Sequence, residues 1–384
     1  MKNYDAIVIG GGPAGSTAAE KIAAEGFSVL MIDMKKEIGK PVQCAEAITE
    51  YSLKNNNLPQ KKKWIKQKIK GIKILLPDNH CFYSASPGLS IDRTQFDKWL
   101  AEKAIDSNCK LRTHTTMKEI LGKPGKWKVI TNNGSFKSKM LIGADGASSK
   151  TARILNLLTN RKYITALQYK FNKKDSDFNE NEWFCMTMDE KFMGGYGWIF
   201  TRGDEFNVGI GSPQGNIDLL NQYCKQYNFD VDKKKKLNAG IVPYYFNLKS
   251  RTRKGAIIIG DAAGLTNPVT SGGIHQAIYS GKKAGEITVE ALEKENIDLV
   301  KKFDRKIKKT PFLNPLHRKT AEYFRKWNNK DWKTFGRLVD GLEMKDLTLG
   351  RCFLIAVKHP PYFLKSRQLL NIRKEMQINK KYGW

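Results

Sequence analysis

Apolar residues follow two rhythms along this chain. Near the N-terminus "AIVIG" (6–10) is an unbroken β-branched run with no polar face, the pattern of a strand buried on both sides in a parallel sheet. An Ala-rich helical stretch follows, and "FSVLMID" (27–33) is a second apolar run, so strand, turn, helix and strand complete a βαβ unit within about 30 residues. "KMLIGADGASSKTARIL" (139–155) and "GAIIIGDAAGLTNPVTSGGIHQAIYSGKKAGEI" (255–287) each read as a buried strand, a glycine-containing turn and a helix. The second rhythm is a set of short strand-like pieces, "GIKILLP", "HCFYSAS", "ITALQYKF" and "GWIFTRGDEFNVGIGS", which predict an antiparallel sheet. From about residue 299 the pattern is helical, rich in Lys, Arg and aromatics, with breaks at Pro311, Pro315 and Pro360–Pro361.

The expected fold is therefore α/β, with a Rossmann-like dinucleotide domain assembled from 1–50, 90–160 and 252–298. Residues 51–89 and 161–251 would form a substrate-binding sheet domain over it, and 299–384 a C-terminal helical region. In the first unit, Gly10 allows the tight turn, Gly12 lets backbone approach a pyrophosphate, and Gly15 permits close helix–strand packing. The helix start offers unpaired N–H groups to phosphate, and Asp33 ends the second strand where a carboxylate can accept from ribose hydroxyls. Gly11 and Pro13 complete "GGGPAG" at the extreme N-terminus, which resembles FAD-binding oxidoreductases more than NAD dehydrogenases. Asp261 follows a strand, placed to meet the ribityl or pyrophosphate part of a dinucleotide. The Gly272–Gly273–Ile274 turn opens a helix whose N-terminus would face a flavin ring.

Composition narrows the classes further. Of 384 residues, 40% are hydrophobic and 27% charged, as in a folded protein with a sizeable core. No apolar run approaches the roughly 18 residues of a membrane-spanning helix, and no signal region precedes the first strand, so a cytoplasmic location is expected. Six cysteines are scattered without a CxxC pair, which predicts reduced thiols and no metal site. The net charge of +29 points to an anionic partner, either a membrane surface at which the protein is peripheral or an acidic protein. No aromatic-interleaved basic motif accompanies that charge, and no nucleic-acid partner is expected.

"GGGPAGSTAA", "LIGADGASSK" and "GDAAGLTNPVTSGGI" resemble the three FAD segments of the para-hydroxybenzoate-hydroxylase-like flavoproteins. Within that group "KPVQCAEAI" (40–48), "GGYGWIF" (194–200) and "DRTQFDKWLAEKA" resemble the geranylgeranyl reductase family, in its digeranylgeranylglycerophospholipid-reductase-like branch. Thr201 stands where the family motif has proline, Ala45 and Ala47 where relatives often carry glycine, and Asp33 where many have Glu. The resemblance implies FAD contacts at Ala14, Gly15, Asp33, Cys44, Ala45, Ala47, Arg93, Met117, Asp261, Gly273 and Ile274. Arg93 also has its own reading, as a helix-start guanidinium able to pair with FAD phosphates or the isoalloxazine edge.

The activity implied is FAD-dependent saturation of C=C bonds in prenyl chains of membrane-lipid precursors, with Cys44, Tyr196 and Trp198 as catalytic residues. Tyr196 and Trp198, two apart, would present π faces to developing positive charge. Cys44, Glu46, Tyr196 and His275 are the candidate proton donors, Glu46 being read as a surface or capping carboxylate. No second nucleotide fingerprint is present, so electrons would come from transiently bound NAD(P)H or from ferredoxin. A monooxygenase or halogenase of the same fold, and a non-catalytic membrane- or partner-binding flavoprotein, are the rival readings. "CFLIAVKHPPYFL" (352–364) reads as a core helix or a membrane-surface helix.

Overall fold

The structure, a computed structural model, describes residues 2–348, 350 and 366–382; the 352–364 segment lies outside the described residues. Four neighbouring strands form the parallel centre of an eight-stranded sheet: Ala256–Ile258, Gly134–Gly143, Lys2–Ile9 and Val29–Ile32, with Lys110–Arg112 parallel at one edge. Thr252–Arg253, Lys126–Thr131 and Met117–Lys123 add antiparallel pairings. Ile7, Val8, Leu30, Ile142 and Ile257 are fully buried, as an all-apolar central strand requires. Helices Pro13–Ala23 and Ile274–Glu293 cross at small residues. A Cβ on Gly281 would lie 2.3 Å from the Ala14 carbonyl oxygen, so only glycine permits that approach.

The second sheet has seven strands in the order Lys236–Leu248, Leu158–Asn172, Glu205–Ser212, Tyr196–Arg202, Trp183–Thr187, Gly71–Leu75 and Cys81–Ser84. It is antiparallel except where Trp183–Thr187 runs parallel to Gly71–Leu75. That pair departs from the expected all-antiparallel sheet; the two strands are over a hundred residues apart, with no hairpin turn to fix their sense. A small antiparallel sheet of Ala47–Thr49, Gly88–Ile91 and Ile65–Ile69, not anticipated, lies beside the start of helix Arg93–Asp106.

Beyond residue 299 the described helices include Pro315–Lys326, Asn329–Val339 and Ser366–Tyr382. Trp327, Trp332, Phe335, Leu369 and Ile372 pack with Phe82 and Met188 against one end of the seven-stranded sheet. No helix among the described residues is long and apolar enough to cross a membrane.

Candidate active site

The glycine turn is built as its spacing predicts. Gly10 has φ +107°, and a Cβ there would lie 2.3 Å from the Ala144 carbonyl oxygen; one on Gly15 would lie 1.8 Å from the Gly10 oxygen. Gly12 is different: a Cβ there meets nothing within 4 Å, so its backbone faces open space at the start of helix Pro13–Ala23. Asp33 sits beside the turn and accepts from the Gly11 N–H (2.7 Å) and the Lys35 N–H (2.8 Å).

From Gly12–Ala14 a cavity of about 290 Å³ runs between the parallel sheet and the seven-stranded sheet. Ala14, Arg93, Asp261, Gly273 and Ile274 lie on its one side, and Cys44, Ala45 and Ala47 border it from the loop after the second strand. Tyr196, Trp198 and Phe200, alternate residues of one strand, line the opposite wall, with ring centroids 6.0 and 6.5 Å apart in sequence order. Gly10, Gly15 and Asp33 form the turn behind the wall. Met117 is 7% exposed within the parallel sheet's core and is not among the cavity-lining residues.

Two hydrogen bonds through Gln168 tie the wall to the Cys44 loop, and a third lies within the loop. Trp198 Nε1–H donates to Gln168 Oε1 (3.2 Å), Gln168 Nε2 donates to the Cys44 carbonyl (3.0 Å), and the Glu46 N–H reaches Cys44 Sγ at 3.2 Å. Sequence reasoning missed Gln168, which is buried and couples two predicted catalytic residues lying far apart in the chain. The Tyr196 hydroxyl donates to the Thr270 carbonyl (2.5 Å), and burial pushes its pKa upward.

Glu46 is not a surface carboxylate. It is 1% exposed, with Lys170 Nζ at 2.6 Å, Arg202 Nε at 3.2 Å and Asn207 Nδ2 at 3.3 Å. It also accepts from the Arg93 N–H (3.1 Å) at the helix start, so the capping half of the expectation holds. Its partners come from strands more than a hundred residues away, which no local pattern announces. Arg93 makes a two-pronged pair with Asp97, 2.8 Å at each contact, and its guanidinium neighbours Cys44. Asp261 accepts from Thr266 Oγ1 (2.8 Å), and burial pushes its carboxyl up. His275, also on the cavity, lies 2.8 Å from Asn56 Nδ2, and burial lowers its pKa to about 4, so it is neutral at pH 7.

A second, strongly apolar chamber of about 80 Å³ adjoins the first; Ile72, Met186 and Thr270 border both, and Phe324, Trp332 and Ile372 close the far side.

A glycine turn at a βαβ unit, a second glycine loop opening a helix, and an aromatic-walled cavity under an antiparallel sheet define an FAD-dependent oxidoreductase of the para-hydroxybenzoate-hydroxylase-like fold. Residues 8–52 match the family model "NAD(P)-binding Rossmann-like domain". The digeranylgeranylglycerophospholipid reductase of Methanospirillum hungatei is 31% identical over 95% of this chain and 96% of its own length. That of Methanococcoides burtonii, numbered 2, is 33% identical over 79% of each chain. This chain belongs to the digeranylgeranylglycerophospholipid reductase family. Its fold is matched by the crystal structure of a geranylgeranyl bacteriochlorophyll reductase-like protein from Thermoplasma acidophilum, with TM-score 0.83 at 26% identity, covering 96% of this chain and all of that one. Halogenase PltM, solved with FAD, shares the fold at TM-score 0.69 and 15% identity, covering 95% of this chain and 85% of that one.

Proposed function

We propose that this protein saturates the isolated C=C bonds of geranylgeranyl chains carried on membrane-lipid precursors, using FAD. The observation that carries this reading is the aromatic wall of Tyr196, Trp198 and Phe200, which borders the same cavity as Cys44 where that cavity adjoins an apolar chamber. The residues fit the cofactor. Gly12 leaves open space at a helix start for a pyrophosphate, Asp33 stands beside the turn on the ribose side, and the Gly273–Ile274 helix start borders the cavity where a flavin ring would lie.

An isolated alkene does not accept hydride directly, because the resulting carbanion has no stabilisation. Saturation therefore needs a proton on one carbon and a hydride on the other, and bound FAD in its reduced form supplies the hydride. The protein supplies the rest. Its apolar walls exclude water, and the π faces of Tyr196 and Trp198 stabilise positive charge on the alkene by about 2 kcal/mol where desolvated. His275 is neutral, Glu46 is ion-paired and absent from the cavity wall, and the Tyr196 proton is committed to Thr270. Cys44 borders the cavity with its sulfur accepting from the Glu46 N–H and beside the Arg93 guanidinium, and it is the thiol assigned here to deliver the proton.

Electrons arrive from NAD(P)H or a small acidic carrier such as ferredoxin, and the +29 charge supports both that carrier and an anionic membrane surface as partners. The test is anaerobic incubation of FAD-loaded protein with dithionite and a panel of prenylated lipids, read by mass spectrometry. A gain of two hydrogens per double bond is expected; no gain with any prenyl lipid, together with an oxygen-dependent hydroxylated or halogenated product, would turn the assignment to the rival chemistry of the same fold.

A further inference from the structure

The loop at 266–273 carries the cavity-facing glycines, and its conformation is set from outside the cavity. Asn267 is 4% exposed, and its Oδ1 accepts from the N–H groups of Val269 (2.8 Å) and Thr270 (3.3 Å). The Asn267 backbone N–H donates to the Gly272 carbonyl (2.9 Å), closing the loop on itself. Thr270 then presents its carbonyl to the Tyr196 hydroxyl at 2.5 Å. One side chain thus arranges both the hydrogen-bond acceptor of Tyr196 and the approach to Gly273.

Asn267 is held in turn by the C-terminal helix. Its Nδ2 donates to Asn379 Oδ1 (2.8 Å), and Asn379 Nδ2 donates to Glu375 Oε1 (2.5 Å). Glu375 Oε1 lies 3.0 Å from His317 Nδ1, while His317 Nε2 lies 3.0 Å from the Pro311 carbonyl. A carbonyl only accepts, so the His317 Nε2–H is the donor to Pro311. Asn379, Glu375 and His317 are 8%, 1% and 4% exposed. Packing alone does not call for such a chain, since apolar side chains would fill the same space without demanding partners. Each member is satisfied by the next, and the chain ends at the loop.

We infer that Asn379 and Asn267 are positioning residues: through them the C-terminal helix holds the 266–273 loop in the shape that anchors Tyr196 at the redox cavity. The inference rests on the proposed role of Tyr196 in the reductase site. It makes the far C-terminus, more than a hundred residues beyond the flavin loop, a determinant of turnover rather than of affinity for the lipid.

The test uses the FAD-loaded full chain and its Asn379→Leu variant, which keeps the branched heavy-atom shape and removes both hydrogen bonds. Hydrogen exchange at the Val269 and Thr270 amides is expected to quicken by about tenfold or more. The kcat is expected to fall about tenfold with KM changed less than about twofold, and the same substitution in a Tyr196→Phe background should lower kcat less than about twofold further. Unchanged exchange at 269–270, or additive kcat losses in the double variant, would reduce the helix to a packing element and overturn the inference. Should Asn379→Leu fail to fold, the unaltered protein still decides: Val269 and Thr270 should exchange together with the amides of helix Ser366–Tyr382. Loop amides that open independently of that helix would refute the link. The exchange measurements need no substrate, so they separate failure of this inference from failure of the reductase assignment.

Discussion

Replacing Glu46 by glutamine perturbs the ion cluster beneath the Cys44 loop, and its cost can be worked from the partners. Lys170, 15% exposed, has its Nζ 2.6 Å from the Glu46 carboxylate; Arg202, 8% exposed, also touches Glu205 at 2.8 Å and Asp92 at 3.3 Å. Loss of the carboxylate therefore removes the contact ion pair of the Lys170 ammonium, leaving it only the more distant Glu205, while Arg202 keeps two anions. Removing one partner of a buried pair costs about 3–5 kcal/mol. The lower end, about 3 kcal/mol, applies here because Lys170 retains some access to water and a glutamine oxygen can still accept. At about 2 °C per kcal/mol for a chain of this size, melting should drop by about 6 °C, read by calorimetry on the FAD-loaded protein. Adding Lys170→Met should recover most of the loss, since no unpaired charge is then buried. Glu46→Gly would relieve the left-handed backbone at φ +67°, about 1 kcal/mol, without restoring the anion, and should still melt below the wild type. A Glu46→Gln protein melting within about 1 °C of the wild type would refute the claim that this carboxylate holds the loop.

Four further outcomes follow from the geometry. Gly15→Ala puts a Cβ 1.8 Å from the Gly10 oxygen, and the purified variant should lack the flavin absorbance of the wild type. His275 has its folded pKa lowered to about 4 from an ordinary 6.5, so the unfolded state binds more protons between those values. Stability should therefore fall by about 3 kcal/mol as pH drops from 6.5 to 4, and His275→Leu should flatten that slope in urea melts. Cys44→Ala should retain FAD and lose about a hundredfold or more in turnover; full turnover would remove the thiol from the chemistry. Salt should inhibit reduction driven by ferredoxin while leaving dithionite-driven reduction unchanged, if the basic surface serves an acidic carrier.

The readable parts of this protein are those built from neighbours in sequence. Gly10, Gly12, Gly15 and Asp33 fall within one βαβ unit, so their spacing alone conveys the turn, and the alternation of Tyr196 and Trp198 placed both on one face. What escaped was non-local. Gln168 bridges Trp198 to Cys44 from a strand whose polar residues look ordinary, and Glu46 meets Lys170 and Arg202 only because three elements converge. Met117, expected at the cofactor on family resemblance, has its side chain in the core of the parallel sheet. The apolar chamber depends on residues from the C-terminal helices docking against Phe82 and Met188, a contact with no periodic signature.

The most direct measurement of the central claim is a single anaerobic turnover. The FAD-loaded protein is reduced with one equivalent of dithionite and mixed with a geranylgeranyl glycerophospholipid, and flavin absorbance and lipid mass are followed together. The account predicts that the flavin reoxidises as the lipid gains two hydrogens in equal amount. Flavin that stays reduced beside unchanged lipid, and reoxidises only when oxygen is admitted, would contradict it.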